Sequence, residues 1–255
     1  MILAILIPVY NEERLLERSF ARLVLAPAPL DPAGVPMARR FFLVNDGSTD
    51  LTATPLAAIA QRHDVTAITH TTNQGKGAAI RTALNAAREY RDEHGAGADV
   101  FLIHDADLEY DPADHHALLA PIVDGRADAV IGSRFLGTTH RVLYYWHSLA
   151  NRFITTLSNV CTNLNLSDIE CCFKAFSRPV ADRLTIEEDR FGVEPELVAK
   201  CASMRVTEPG VGDRPLRIYE VAVSYAGRTY AEGKKIGWQD GFAALRCIVV
   251  YNLMR

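Results

Sequence analysis

Long apolar runs are missing from this 255-residue chain. No stretch reaches the roughly 18 apolar residues that a membrane-crossing helix needs. Cysteine is scarce and unpatterned: there are five, an odd number, with no C-x-x-C pair and with Cys171 beside Cys172. That suits neither a disulfide framework nor a zinc site, and it points to a reducing, cytosolic setting. Charge of one sign is not in excess, since the net charge is −4, so bulk electrostatics call for no nucleic-acid partner. Neither G-x-x-x-x-G-K-[ST], H-E-x-x-H nor G-x-S-x-G occurs. Gly75-Lys76-Gly77 carries part of a dinucleotide fingerprint, but Ile80 stands where a third small residue is required. The opening Met1–Ile7 is apolar, lacks basic residues and is broken by Pro8, which reads as a strand rather than a signal peptide.

What is present is an alternation of short β-branched runs and helical patterns. Strands are expected at Ile2–Ile7, Arg40–Asn45, Val65–Thr69, Val100–His104 and Ala129–Gly132. Between them, Glu12–Val24 places Leu15, Leu16, Phe20, Leu23 and Val24 on one helical face, and Gly77–Tyr90 turns Ile80, Ala83, Leu84 and Ala87 inward. Such alternation predicts an α/β fold with a mostly parallel sheet covered on both faces. Prolines at 27, 29, 32 and 36 mark a surface loop. From about Thr138 the pattern changes to a helix over Val142–Val160, a strand-like run at Arg217–Tyr225 and a last helix at Gly237–Leu253. His115-His116 reads as exposed helix surface rather than as a ligand pair.

Polar clusters follow three expected strands: Pro8–Glu12, Asn45–Asp50 and Asp105–Glu109. In open α/β sheets ligands bind beyond the carboxyl ends of the strands, so three such clusters imply one shared cleft. In an extended segment, Asp105, Asp107 and Glu109 would point the same way, and three converging carboxylates suit a hard divalent cation carrying a diphosphate. At ~4 Å and an effective dielectric of ~20 a doubly charged ion gains roughly 8 kcal/mol per unit charge. A helix N-terminus supplies at most about 2.

Five ordered motifs, PVYNEE at 8–13, NDGSTD at 45–50, NQGKG at 73–77, DADLEYDP at 105–112 and GSRF at 132–135, together resemble family 2 glycosyltransferases. The likeness covers roughly residues 2–235 and is strongest to the branch of dolichyl-phosphate mannose synthase and bacterial polyprenyl-phosphate glycosyltransferases. The resemblance implies a GT-A fold in one domain, 1–235, with the amphipathic helix of 236–255 either part of it or in contact with a membrane. It implies that Pro8, Tyr10, Glu12, Asp46 and Lys76 bind the nucleotide sugar. Asp105 would lie against the nucleotide, Asp107 and Glu109 would hold Mg²⁺ or Mn²⁺, and Arg134 would face the donor phosphates. Where the synthase commonly has Gln, this chain has Glu109, an added carboxylate that should tighten the metal site. Arg152 and Thr156 match an acceptor-phosphate pair. Arg228 and Lys234 match R-x-x-G-E-S-K, although Ala231 and Gly233 replace its Gly and Ser.

The expected reaction is an inverting transfer from a GDP- or UDP-sugar to a polyprenyl phosphate, in the cytoplasm or peripherally on the cytoplasmic face of a membrane. The alternative acceptor is a soluble hydroxyl on a small metabolite or glycan. That acceptor would need a general base, for which Asp168 is the candidate, its other reading being structural. A nucleotidyltransferase is disfavoured, because PVYNEE stands where such enzymes carry a Gly-rich basic loop. Val142–Val160, with aromatics at one end, and Phe242–Met254 can equally be interfacial or core helices.

Overall fold

The computed structural model describes residues 1–137, 141, 142, 144–208, 210–229 and 238–253. Strand β1 (Ile2–Val9) is almost wholly buried and lies inside one half of the sheet. It pairs in parallel with β2 (Ala38–Asn45) on one side and with β4 (Val100–Ile103) on the other. Strand β3 (Val65–Thr69) extends that half in parallel. Beyond β4 the order continues through β6 (Lys174–Ser177), β5 (Ala129–Ser133) and β9 (Ile218–Ala222), giving seven strands in the order β3-β2-β1-β4-β6-β5-β9. Only β6 runs antiparallel to its neighbours. Its reversal brings residues 168–173, which lead into it, to the edge where β1, β2, β4 and β5 end.

Helices α1 (Leu16–Leu25), α2 (Ala53–Ile59), α3 (Lys76–Glu89) and α4 (His115–Val123) cover the sheet. The inward face of α3 carries Ile80, Ala83, Leu84 and Ala87, all buried, as the 3.6-residue spacing requires. Helices α5 (Tyr145–Thr162), α7 (Val193–Ser203) and α8 (Trp238–Leu253) form a separate layer. There Ile154, Val198, Ala244 and Ile248 share an apolar cluster with Ile131 of β5. A short α6 (Arg178–Arg183) follows β6, and β7 (Arg205–Glu208) pairs with β8 (Gly212–Pro215) as a small hairpin. The domain limit expected at 235 falls in 230–237, outside the described residues.

Several expectations are corrected. The helix expected from Glu12 begins at Leu16. Asn11 is left-handed, and its segment is pinned to the second loop by Glu12 N–H to Thr52 Oγ1 at 2.8 Å and Thr49 N–H to Asn11 Oδ1 at 2.8 Å. The acidic segment after β4 is a turn, not an extended run. Leu108 has φ of 63°, and Asp107 Oδ1 accepts the Glu109 N–H at 3.1 Å. His115 is 1% exposed; it packs on His104 and Phe173, while His116 is exposed.

Gly75 precedes α3 with φ of 108°, and a Cβ there would lie 2.3 Å from the Asp189 carbonyl oxygen. Gly75→Ala should therefore cost about 2–4 kcal/mol through backbone strain and a clash that neither segment can relieve. The expected fall in Tm is about 10 °C. Gly34 also has positive φ but open space around it, so Gly34→Ala should cost only about 1 kcal/mol. Thermal melts of the two variants side by side check both values.

Candidate active site

A cleft of about 310 Å³ opens at the carboxyl edge of the sheet. Its β1–β2 end is lined by Pro8, Tyr10, Glu12 and Asp46. Asp46 is 2% exposed, and its two oxygens take the N–H groups of Gln74 and Gly75, the amide of Asn73 and Nδ1 of His70 at 2.7–2.9 Å. It fixes the NQGKG turn and thereby aims Lys76. The Lys76 ammonium then spans Asp105 at 2.8 Å and Glu194 at 2.9 Å. Burial works against that charge, but the two carboxylates raise its pKa well above the usual lysine value.

At the middle of the cleft one guanidinium meets three carboxylates. Arg228 lies 3.0 Å from Asp107, 3.1 Å from Glu109 and 3.5 Å from Glu12. Tyr225 donates its hydroxyl to Glu109 at 2.7 Å. Burial, then repulsion from Asp105 and Glu109, lifts the Asp107 carboxyl to about 7, against the pull of Arg228. Asp107 and Glu109 both reach Arg228 through carboxylate oxygens, and an oxygen-only pair of this kind is chemically compatible with Mg²⁺ or Mn²⁺. Among the described residues no group of three or more metal-ligating side chains exists, so a held ion would complete its shell with water and substrate oxygens.

Arg134 closes the β5 end. It makes a two-pronged pair with Asp168, at 2.7 and 2.8 Å, and its guanidinium sits 5.2 Å from the Tyr225 ring centroid. Asp168 is fully buried. Burial opposes its charge, yet Arg134 holds its carboxyl below the usual value. With both oxygens committed to the guanidinium, Asp168 is built to position Arg134. Arg152 and Thr156 do not join the cleft lining; both are exposed on α5, with Thr156 Oγ1 bonded to the Arg152 carbonyl. Lys234 lies outside the described residues.

Sequence reasoning missed Glu170, Arg190, Phe191 and Tyr225, which also line the cleft. Glu170 sits two residues after Asp168 in the loop that β6 carries to the edge, and only the reversal of β6 places it there. Burial, then the nearby Glu194, raises its carboxyl to about 7, with Lys174 and Arg134 opposing.

The fold and this cleft define a GT-A-type α/β transferase. Residues 4–185 match the family model described as glycosyl transferase family 2, and the chain belongs to that family. It is 26% identical over 233 residues to the undecaprenyl-phosphate 4-deoxy-4-formamido-L-arabinose transferase of Proteus mirabilis, covering 91% of this chain and 62% of that protein. It is 30% identical over 160 residues to glycosyltransferase AglJ of Haloferax volcanii, covering 63% and 48% respectively. The chain thus spans only about half to three-fifths of the length of these relatives. In structure it is similar to glucosyl-3-phosphoglycerate synthase of Mycobacterium tuberculosis in complex with Mn²⁺, UDP and glucosyl-3-phosphoglycerate. The TM-score is 0.66 at 16% identity, over 99% of this chain and 80% of that one, a likeness of fold.

Two buried carboxyls should respond to pH in opposite senses. The folded pKa of Asp168 is depressed, so its contribution is present above the unfolded value near 3.9 and lost as pH falls through the folded one. Asp168→Asn should cost about 3 kcal/mol at pH 7, because it leaves a buried guanidinium unpaired, and the deficit should shrink below pH 4. Glu170 is raised, so its contribution is present below about 4.3 and lost as pH rises through about 7. Glu170→Gln should therefore match the native chain at pH 4 and exceed it in Tm by about 3 °C or more at pH 8. Denaturation series from pH 4 to 8 on both variants read the two trends.

Proposed function

We propose that this chain transfers a sugar, with inversion, from a GDP- or UDP-sugar to a polyprenyl phosphate, using Mg²⁺ or Mn²⁺. The observation that carries this reading is the row of groups along the sheet edge. A nucleoside end at β1 and β2, a paired carboxylate site after β4 and Arg134 after β5 follow one another in the order of a nucleotide sugar's parts. A bound divalent ion would supply charge neutralisation for the departing diphosphate. Arg134, held rigid by Asp168, would present its remaining guanidinium N–H donors where the leaving group develops negative charge. Arg228 reaches the same region once its carboxylate partners are engaged elsewhere. An acceptor phosphate is already anionic and needs no proton removed, only cations to orient it. That agrees with an Asp168 whose two oxygens are both in use.

The lipid acceptor draws support from the outer face of α5. Tyr145, Trp146, Leu149 and Phe153 form an exposed apolar stripe, with Trp146 73% and Phe153 62% exposed. Arg152 and Thr156 flank that stripe at helical spacing. An aromatic stripe beside a cation suits the boundary of a bilayer, and among the described residues no helix is long and apolar enough to cross one. The names of the Proteus and Haloferax relatives agree with a sugar transfer, the former to undecaprenyl phosphate. The Mn²⁺–UDP complex of the mycobacterial protein agrees with a metal-bound donor.

The test is transfer from a panel of GDP- and UDP-sugars to a short polyprenyl phosphate with Mn²⁺, Mg²⁺ or chelator, read by mass spectrometry. Lipid-linked product should form only with metal, and Asp107→Asn should lower its rate at least a hundredfold. Donor turnover with a soluble hydroxyl acceptor but not with the lipid would overturn the polyprenyl reading.

A further inference from the structure

The two carboxylates that suit a divalent ion are already in use by the chain itself. Asp107 Oδ1 accepts the Glu109 N–H at 3.1 Å, and Asp107 Oδ2 accepts from the Arg228 guanidinium at 3.0 Å. Glu109 Oε1 takes the Arg228 backbone N–H at 3.0 Å and its Nε–H at 3.1 Å, while Oε2 takes the Tyr225 hydroxyl at 2.7 Å. Every oxygen of the pair therefore has a donor, and Arg228 reaches both side chains. Glu12, 3.5 Å away, brings a third carboxylate onto the same guanidinium. These groups are enclosed but not sealed: Asp107 and Glu109 line the cleft and keep 16% and 11% of their side-chain surface.

A guanidinium and a divalent ion make the same demand on these oxygens. An ion bonded to Asp107 and Glu109 at about 2 Å needs lone pairs that Arg228 uses, and the two cations repel at such short range. The guanidinium is tethered, so it competes at a high effective concentration. It can also leave without unfolding its segment. The Ala226 N–H is held by the Glu109 carbonyl at 2.8 Å, Tyr225 bridges to Tyr110, and Arg141 holds the Gly227 carbonyl at 3.0 Å. Those bonds fix the backbone and leave the torsions of the Arg228 side chain free to change rotamer.

We propose that Arg228 is a tethered competitor of the divalent ion, holding the Asp107–Glu109 pair until an ion arrives together with a diphosphate. This rests on the metal-dependent donor reading above. A bare ion must first displace the guanidinium, so its apparent affinity is lowered by the fraction of molecules in which the pair is free. A diphosphate accepts both the ion and the released guanidinium, so ion and donor bind with positive coupling. The competition keeps the pair neutralised and discourages a metal without substrate.

Mn²⁺ binding to the full chain without nucleotide tests this, read by loss of the free-ion electron paramagnetic resonance signal at pH 8, where protons compete less for the carboxylates. Arg228→Gln, which removes the charge, should tighten Mn²⁺ binding by roughly tenfold or more. Arg228→Lys, which keeps the charge but loses the fork, should tighten it by less. Adding Asp107→Asn to Arg228→Gln should abolish the gain, which locates the ion at the pair. Thermal melts of the same samples should show Mn²⁺ raising the Tm of Arg228→Gln by more than it raises that of the native chain. Should Arg228→Gln fail to fold, Arg228→Lys carries the comparison. A native chain that binds Mn²⁺ while the Arg228 variants bind it no tighter overturns this proposal alone, and so does a gain that survives Asp107→Asn. If neither the native chain nor the variants bind Mn²⁺, even with UDP or GDP added, the metal reading falls and takes this proposal with it.

Discussion

Four alternating charges hold the functional edge of this protein together: Asp105, Lys76, Glu194 and Lys174, each successive pair within 2.9 Å. They come from the end of β4, the first turn of α3, the first turn of α7 and the start of β6. Lys174 is 1% exposed and Glu194 3%. Such a chain adds little net stability, since taking ions out of water costs about as much as their attraction returns. Breaking it leaves an uncompensated buried charge, at about 3–5 kcal/mol. In the observed arrangement these four groups pair every charge between two helices and two strands at this edge.

Because that chain is neutral in sum, it leaves the cleft's own balance to the groups above it. Arg134 is cancelled by Asp168. Glu12, Asp107 and Glu109 face the single guanidinium of Arg228. Among the described residues the middle of the cleft is therefore acidic, the wrong sign for a diphosphate. Burial, and after it the neighbouring carboxylates Asp105 and Glu109, raise the Asp107 carboxyl there. The same two oxygen-bearing groups, Asp107 and Glu109, carry that local negative charge and are chemically compatible with a divalent ion.

Much of the β3-β2-β1-β4 half was legible in the sequence. β3 was read at its observed bounds, and β1, β2 and α3 to within a few residues, because each obeys a local periodicity that packing preserved. The DADLE segment was placed correctly after a buried strand but with the wrong backbone. Alternation of acidic residues reads as extended chain, and nothing local reveals that Asp107 will take the Glu109 N–H and force Leu108 left-handed. β6 escaped because Lys174, a charged residue in a run of four, marks a strand as exposed unless its buried partner Glu194, twenty residues on, is known. His115 misled for the same reason: its burial depends on His104 and Phe173, which approach only in three dimensions.

The outer face of α5 resisted for a different physical reason. In the β1–β4 half each cleft group is placed by turns with strict backbone demands, such as Gly75 at positive φ and the carboxylate of Asp46 gathering four donors. Those demands leave a residue-level trace. The outer face of α5 carries no such demand, since an exposed Tyr145 or Trp146 satisfies helical geometry whatever lies against it. Sequence pattern cannot separate a core face from an interfacial one, because both are apolar stripes at the same spacing. Only the packing shows that Ile154 and Ser158 take the inward positions while Phe153 is left outside. The single reversed strand joins the two sides. By bringing the 168–173 loop to the edge it puts Asp168, which fixes Arg134, and Glu170, which is left unpaired, on the same short segment. One strand direction thus brings both side chains to the same cleft.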